Sequence, residues 1–168
     1  MTQSPESLRE EIVALLPRLR RFARTITRHP DDADDLVQLA VERALLRLSQ
    51  WRPDSRLDAW MFGIVRNAWI DEVRARARRS RLFAPQEAGE NVGDSSAEAQ
   101  LQGMAVQEAM ARLPEEQRMA VALVLVEGLP YKEAAAVMDV PIGTLTSRLA
   151  RGRETLQAIL SEAGGSRA

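Results

Sequence analysis

The 168-residue chain has no cysteine, a single histidine and only 4% aromatic residues. Without cysteine there is no disulfide framework, no thiol nucleophile and no zinc-thiolate site. The lone histidine, His29, has no second acidic cluster placed to complete a metal site with it, so neither a metal nor another cofactor is expected. Long apolar runs are missing as well. The longest, "MAVALVLV" (Met119 to Val126), falls far short of the roughly 20 residues that a bilayer span needs. The start, "MTQSPESLREEIVALLPRLRR", lacks a basic region followed by an apolar stretch, so no secretory signal is expected. Strand signals are also wanting, because no stretch alternates polar and apolar residues for long enough. These absences imply a soluble, cytoplasmic, all-α protein without membrane insertion. They also leave an enzyme without a cleft-forming constellation, and no catalytic residue is assigned.

The net charge of -1 hides an uneven distribution. Through Arg81 the chain holds 16 basic and 12 acidic residues; from Leu82 to Gln102 it holds four acids and no base; the remainder has seven basic and eight acidic residues. A positive front, an acidic middle and a balanced back suggest a polyanionic partner for the front. The middle, "FAPQEAGENVGDSSAEAQ" (Phe83 to Gln100), carries Pro, Gly, Ser and acids without apolar periodicity and reads as a flexible linker. It divides the chain into units at 1–82 and 103–168, with the linker at 83–102. Each unit is small for a stable core of its own. The linker lets the two units sample many separations, and the final "GGSRA" reads as a frayed tail.

The N-terminal unit reads as a three- to four-helix bundle. Leu8, Ile12, Leu15, Leu16, Leu19, Phe22, Ala23 and Ile26 recur at helical spacing, with Pro17 expected to kink or divide the helix. A second helix spans Asp32 to about Leu48, capped by Asp31 or Asp32 after Pro30. "SQWRPDSRLD" (Ser49 to Asp58) breaks the pattern, and a third helix runs from about Leu57 to Arg81. In the C-terminal unit "MAVQEAMARL" and "PEEQRMAVALVLVEG" are helical. "PYKEAAAVMDV" and "PIGTLTSRLARGRETLQAIL", parted by the short "DVPIG", have the layout of a helix-turn-helix, with Pro141 suited to the first position of the second helix.

Three constellations stand out. The second helix of the helix-turn-helix would place Thr144, Thr146, Ser147, Arg148, Arg151 and Arg153 towards a DNA groove, and Leu145, Leu149 and Leu156 inward. Its bland alternative is an αα-hairpin with solvated arginines. "RNAWIDEVRARARRSR" carries Arg66, Arg74, Arg76, Arg78, Arg79 and Arg81 with Asn67, Trp60 and Trp69 interleaved, which suits phosphate contact and base stacking. Taken singly, Trp60 and Trp69 read as partial core. "DDADDLVQLA" (Asp31 to Ala40) puts four carboxylates into five positions. Caps and the helix dipole explain its first half. Asp35 and Gln38, one turn on, read as a polar docking face.

In their order, "DDADDLVQLAVERAL", "LDAWMFGIVRNAWIDEVRARARR" and "LPEEQRMAVALVLVEGLPYKEAAAVMDVPIGTLTSRLARGRETL" resemble the extracytoplasmic-function (ECF) sigma factors, the small two-domain branch of the sigma-70 family. The resemblance covers about Leu15 to Leu160. It implies a promoter-specific initiation factor with sigma regions 2 and 4, rather than an enzyme. Its partners would be core RNA polymerase, promoter DNA and an anti-sigma factor. By resemblance, Asp35, Leu36, Val37 and Gln38 meet the clamp coiled coil of the beta-prime subunit, with Leu36 and Val37 divided between that contact and the bundle core. Arg52, Asp54, Arg56, Trp60, Arg66, Asn67, Arg74 and Arg78 serve the -10 element. Tyr131, Lys132, Thr144, Thr146, Ser147, Arg148, Arg151 and Arg153 serve the -35 element, and the C-terminal domain also meets the beta flap. The linker's acids would imitate nucleic acid in the polymerase channel. Thr146 stands where many members of the family carry a basic residue. The rival readings are a stand-alone helix-turn-helix regulator that binds promoters without polymerase, and a helical adaptor that binds only an inhibitor.

Overall fold

Residues 3–82 and 101–165 are described by a computed structural model, and among them there are helices and turns but no strand. The first helix, α1 (Pro5–Thr27), begins where Ser4 turns extended and its Oγ accepts from the Ser7 N–H at 3.2 Å. Pro5 follows in the first turn, where its missing N–H costs nothing. Of the two outcomes expected at Pro17, division does not occur: α1 is one helix that includes it. Pro17 lies on the exposed side and Val13, one turn earlier, is 62% exposed, so the carbonyl it cannot engage lies on the solvent side of the helix.

The next helix, α2 (Pro30–Leu46), also starts differently from the sequence expectation. His29 is the extended residue before it and makes no side-chain cap, Pro30 takes the first helical position, and Asp31 and Asp32 fall inside the first turn. There they favour the positive end of the helix dipole rather than capping it. A 3-10 turn (Leu48–Gln50) and the loop to Arg56 lead into α3 (Leu57–Leu82). The three helices bury Leu19, Phe22, Ala40, Met61, Phe62 and Val65 between them. Phe22 and Phe62 meet edge to face, with ring centroids 5.1 Å apart.

In the second half α4 (Leu101–Arg112) turns at Leu113 into α5 (Glu115–Val121). Arg118 is only 4% exposed, and its guanidinium donates to the carbonyls of Leu113 at 3.0 Å and Ala111 at 3.4 Å, closing the end of α4. A π-helical turn (Ala122–Val126) continues α5, and Gly128 at φ +74° reverses the chain, a conformation that suits glycine. The helix-turn-helix follows as α6 (Tyr131–Met138) and α7 (Ile142–Gly165). Asp139 adopts the left-handed conformation at the end of α6. Pro141 precedes α7 instead of opening it, and its carbonyl accepts from Thr144 and Leu145. Leu145 and Leu149 face inward at 0% and 2% exposure, as their spacing predicts. α7 also takes in Gly164 and Gly165, where a frayed tail was expected.

The two halves pack together, α1 against α4 and α5 and α3 against α6, and one buried cluster runs through both. Most of the linker, residues 83–100, lies outside the described residues, as does its expected mimicry of nucleic acid.

One close approach has consequences for stability. α7 crosses α5 at Gly152, where a Cβ would lie 2.7 Å from Val121 Cγ2 and 3.3 Å from the Gln117 carbonyl oxygen. Val121 is buried and β-branched, so it cannot yield. Gly152→Ala should gain about 1 kcal/mol in helix propensity but lose about 1–3 kcal/mol to overpacking, a net destabilisation. Gly63→Ala, inside α3 with nothing within 4 Å of its Cβ, should instead stabilise by about 0.5–1 kcal/mol. Opposite signs in denaturant unfolding are expected; equal signs would remove the crossing as the reason for Gly152.

Candidate nucleic-acid and polymerase interfaces

The acidic start of α2 is divided among three tasks. Asp31 lies in the first turn. Asp32 turns inward to α3, where the Arg76 guanidinium donates to its two oxygens at 2.9 and 3.3 Å. Asp34, Asp35 and Gln38 remain exposed, and Asp34 and Gln38 line a groove between α1 and α2 with Leu16, Arg20, Arg24 and Val37. Leu36 and Val37 are 5% and 4% exposed, so both belong to the core, and only Val37 reaches the groove.

The basic end of α3 is also divided. Arg74 and Arg78 are exposed along it, and Arg52 and Asp54 are exposed in the preceding loop. Arg76 and Arg79 are drawn down by Glu72, at 3.0 and 3.2 Å, and Arg76 stacks over the Trp69 ring at 5.6 Å. Trp60 and Trp69 are half-buried against the core, and the Trp69 indole N–H donates to Glu115 at 3.2 Å. Arg56 donates to both oxygens of Asp58 at 3.0 and 2.8 Å. Arg66 is held below its ordinary value by burial; Asp139 opposes that shift and Arg148 adds to it, which places this α3 arginine beside the helix-turn-helix. Trp60 and Asn67 line a cleft whose far wall is Glu133, Ala136 and Val137 of α6.

On the helix-turn-helix, Tyr131, Lys132, Thr146, Ser147, Arg151 and Arg153 are exposed and Thr144 is half-buried. The Thr146 hydroxyl donates to the Ile142 carbonyl at 2.8 Å. Arg148 departs from expectation. It is drawn against α5 and pairs with Glu116 at 3.4 Å, leaving its side chain 23% exposed. Its position about one turn after Leu145 and next to Leu149 puts it at the edge of the buried face.

Sequence reasoning missed a cluster between the halves. The Glu127 side chain is 1% exposed. Arg21 donates to its two oxygens at 2.8 and 2.7 Å; Arg18 donates to its Oε1 at 3.3 Å and to its backbone carbonyl at 2.9 Å. Arg18 also reaches Asp58 at 3.2 Å and lies over the Phe62 ring at 5.2 Å. Arg28 adds a bond to the Ala111 carbonyl at 3.3 Å. The one signal available was a glutamate closing the apolar run "MAVALVLVEG". Among the described residues no His, Asp and Glu group is placed to hold a metal ion, and no helix is long and apolar enough to cross a membrane.

Comparison with known proteins places these surfaces in a family context. Residues 12–79 match the family pattern described as Sigma-70 region 2, and residues 103–156 match Sigma-70, region 4. The chain is 37% identical over 155 residues to the ECF RNA polymerase sigma factor EcfG of Rhodopseudomonas palustris, covering 92% of this chain and 86% of that protein. It is 37% identical over 142 residues to the ECF RNA polymerase sigma factor SigM of Mycobacterium tuberculosis, covering 84% and 71%. The sigma factor RpoE in complex with the anti-sigma factor NepR, from Bartonella quintana, superposes with a TM-score of 0.76 at 32% identity, over 91% of this chain and 96% of that one.

Asp58 makes the core of the N-terminal half sensitive to acid. Burial pushes its carboxyl up, but hydrogen bonds from Arg56, the Ala59 N–H and Arg18 outweigh burial and hold it below the usual carboxylate value of 3.8. A group depressed in the folded state stabilises fully above its unfolded value, and that contribution is lost as pH falls through the folded one. Unfolding free energy should therefore drop below about pH 4, and less steeply in Asp58→Asn. An equally steep drop in the variant would show that Asp58 is not responsible.

Proposed function

The chain belongs to the sigma-70 family of RNA polymerase sigma factors, and from that premise we propose that it is an ECF sigma factor that directs core polymerase to specific promoters under the control of an anti-sigma factor. It binds polymerase and promoter DNA in the cytoplasm and is not an enzyme. The observation that carries this reading is the pair of sigma regions, in order, in a chain that aligns over 92% of its length with an ECF sigma factor. The domain limits proposed are 1–82 for polymerase and the -10 element, 83–102 for the linker, and 103–168 for the -35 element.

Roles for the surfaces follow from their chemistry. The exposed Asp35 and Gln38 supply the hydrogen-bonding groups of a polymerase docking face, with Leu36 and Val37 supporting them from the core. Arg74 and Arg78 supply phosphate contacts along α3, while Arg52, Asp54 and Arg56 shape the loop that meets the -10 strand. Trp60, Arg66 and Asn67 offer stacking and polar groups to unpaired bases. Tyr131 and Lys132 start α6 where it would cross the backbone. Thr144, Thr146, Ser147, Arg148, Arg151 and Arg153 present short and forked donors along α7 for the major groove. Run-off transcription with purified core polymerase on a genomic promoter pool tests the reading: transcripts from a discrete promoter set support it, and none from any promoter would contradict it.

Two mutational outcomes follow. Asp35→Ala with Gln38→Ala should leave the fold intact and weaken binding to core polymerase, by roughly 0.5–1.5 kcal/mol for each lost hydrogen bond; unchanged affinity in a pull-down titration would remove the docking face. Arg151→Ala should lower transcription from -35-dependent promoters. A bidentate base contact would cost about 1–3 kcal/mol at one base position, whereas a phosphate contact would weaken all sequences together and lower the salt slope by about one unit. Full activity on those promoters would contradict the assignment of α7.

A further inference from the structure

The second helix of the helix-turn-helix carries two kinds of arginine. Arg151 and Arg153 are exposed and meet no carboxylate among the described residues. Arg148 is held instead: its Nη2 lies 3.4 Å from Oε2 of Glu116 on α5. The frame beneath this pair is fixed. α7 crosses α5 at Gly152, where a Cβ would not fit against Val121. Thr155 Oγ1 of α7 lies 3.4 Å from Oε1 of Gln117, the neighbour of Glu116. Arg118, next along α5, is buried and bonded to the Leu113 carbonyl. The carboxylate and the guanidinium therefore stand on two helices that keep one spacing. The fold itself asks little of Glu116, whose side chain is 68% exposed, since an ion pair at such a position adds little to stability. Its effect falls on Arg148.

We infer that Glu116 is a positioning residue that makes Arg148 the reader of one guanine in the -35 element. This rests on the sigma-factor reading for the DNA that α7 meets. An unrestrained arginine on a helix beside DNA is drawn to phosphate, a contact that carries no sequence information. The Glu116 carboxylate offsets that attraction and ties the guanidinium to one place. It engages a single terminal nitrogen, so a fork of two parallel N–H donors remains for another pair of acceptors. In the major groove guanine presents such a pair, O6 and N7. Restraint before binding also removes rotamer freedom that would otherwise be lost on contact. Glu116 is repelled by phosphate, so it acts through Arg148. Arg151 and Arg153 have no such restraint.

The test uses the full chain as holoenzyme with core polymerase. Affinity is measured for a panel of promoters in which each -35 base pair is substituted in turn, at several salt concentrations. The wild type should lose roughly tenfold or more at one G·C pair. Arg148→Ala and Glu116→Ala should each lose discrimination at that same pair, and the double variant should lose no more than Arg148→Ala alone. Glu116→Ala should bind the substituted promoters more tightly than the wild type does. Its salt slope should be steeper by about one unit, because the freed arginine takes a phosphate. Glu116→Gln, which keeps the shape and removes the charge, should steepen the slope as well. Discrimination kept by Glu116→Ala, affinity lowered equally for every sequence, or discrimination lost without a steeper slope would each overturn the proposal. Full discrimination by Arg148→Ala would overturn it too, while continued -35-dependent transcription by that variant would leave the sigma-factor reading standing. No transcription from any promoter by the wild-type holoenzyme would sink that reading and the positioning role with it.

Discussion

A carboxylate taken out of water inside a helical protein has to be met by cations, and Glu127 is met by Arg18 and Arg21 of α1. That requirement fixes how the two halves sit. α5 and its π-helical turn end at Glu127, Gly128 reverses the chain, and α6 and α7 are launched from there. Meeting Glu127 therefore carries the helix-turn-helix to the side of α3. The same Arg18 contacts Asp58 and Phe62, so one guanidinium ties the joint between the halves to the core of the first. Removing one partner would leave a charge that is costly to keep buried.

Charge elsewhere is used in two ways. Some arginines are spent inside the fold: Arg76 on Asp32 and Glu72, Arg43 on Asp71, Arg118 on backbone carbonyls. Others, such as Arg74, Arg78, Arg151 and Arg153, stay exposed. Counting basic residues along the chain could not separate these groups, because α3 carries both at alternating positions. The acidic start of α2 is divided likewise, with Asp32 held by Arg76 and Asp35 exposed.

The helices were legible in the sequence because apolar residues at three- and four-residue spacing report the buried face directly. Leu8, Ile12, Leu19, Phe22 and Ile26 are all buried where their spacing puts them. Helix ends were less legible. Pro30 displaced the expected aspartate cap, and Pro17 did not break α1, because local sequence does not say which carbonyls face solvent. Arg148 looked exposed by angle along α7, yet its partner Glu116 lies on another helix. Glu127 was missed for the same reason: its partners Arg18 and Arg21 are more than a hundred residues away, and nothing local marks a glutamate as buried. Family resemblance supplied the order of the two regions, but not the contact between them.

On the proposed reading, promoter recognition by this chain needs core polymerase to hold the two DNA-binding faces at one promoter spacing. The most direct measurement is a footprinting titration on promoter DNA near physiological ionic strength, about 150 mM, with and without core polymerase. A sigma factor with these properties protects the -10 and -35 elements together only when core enzyme is present. A specific footprint over both elements from the free protein at nanomolar concentration would contradict this and identify an autonomous helix-turn-helix regulator instead.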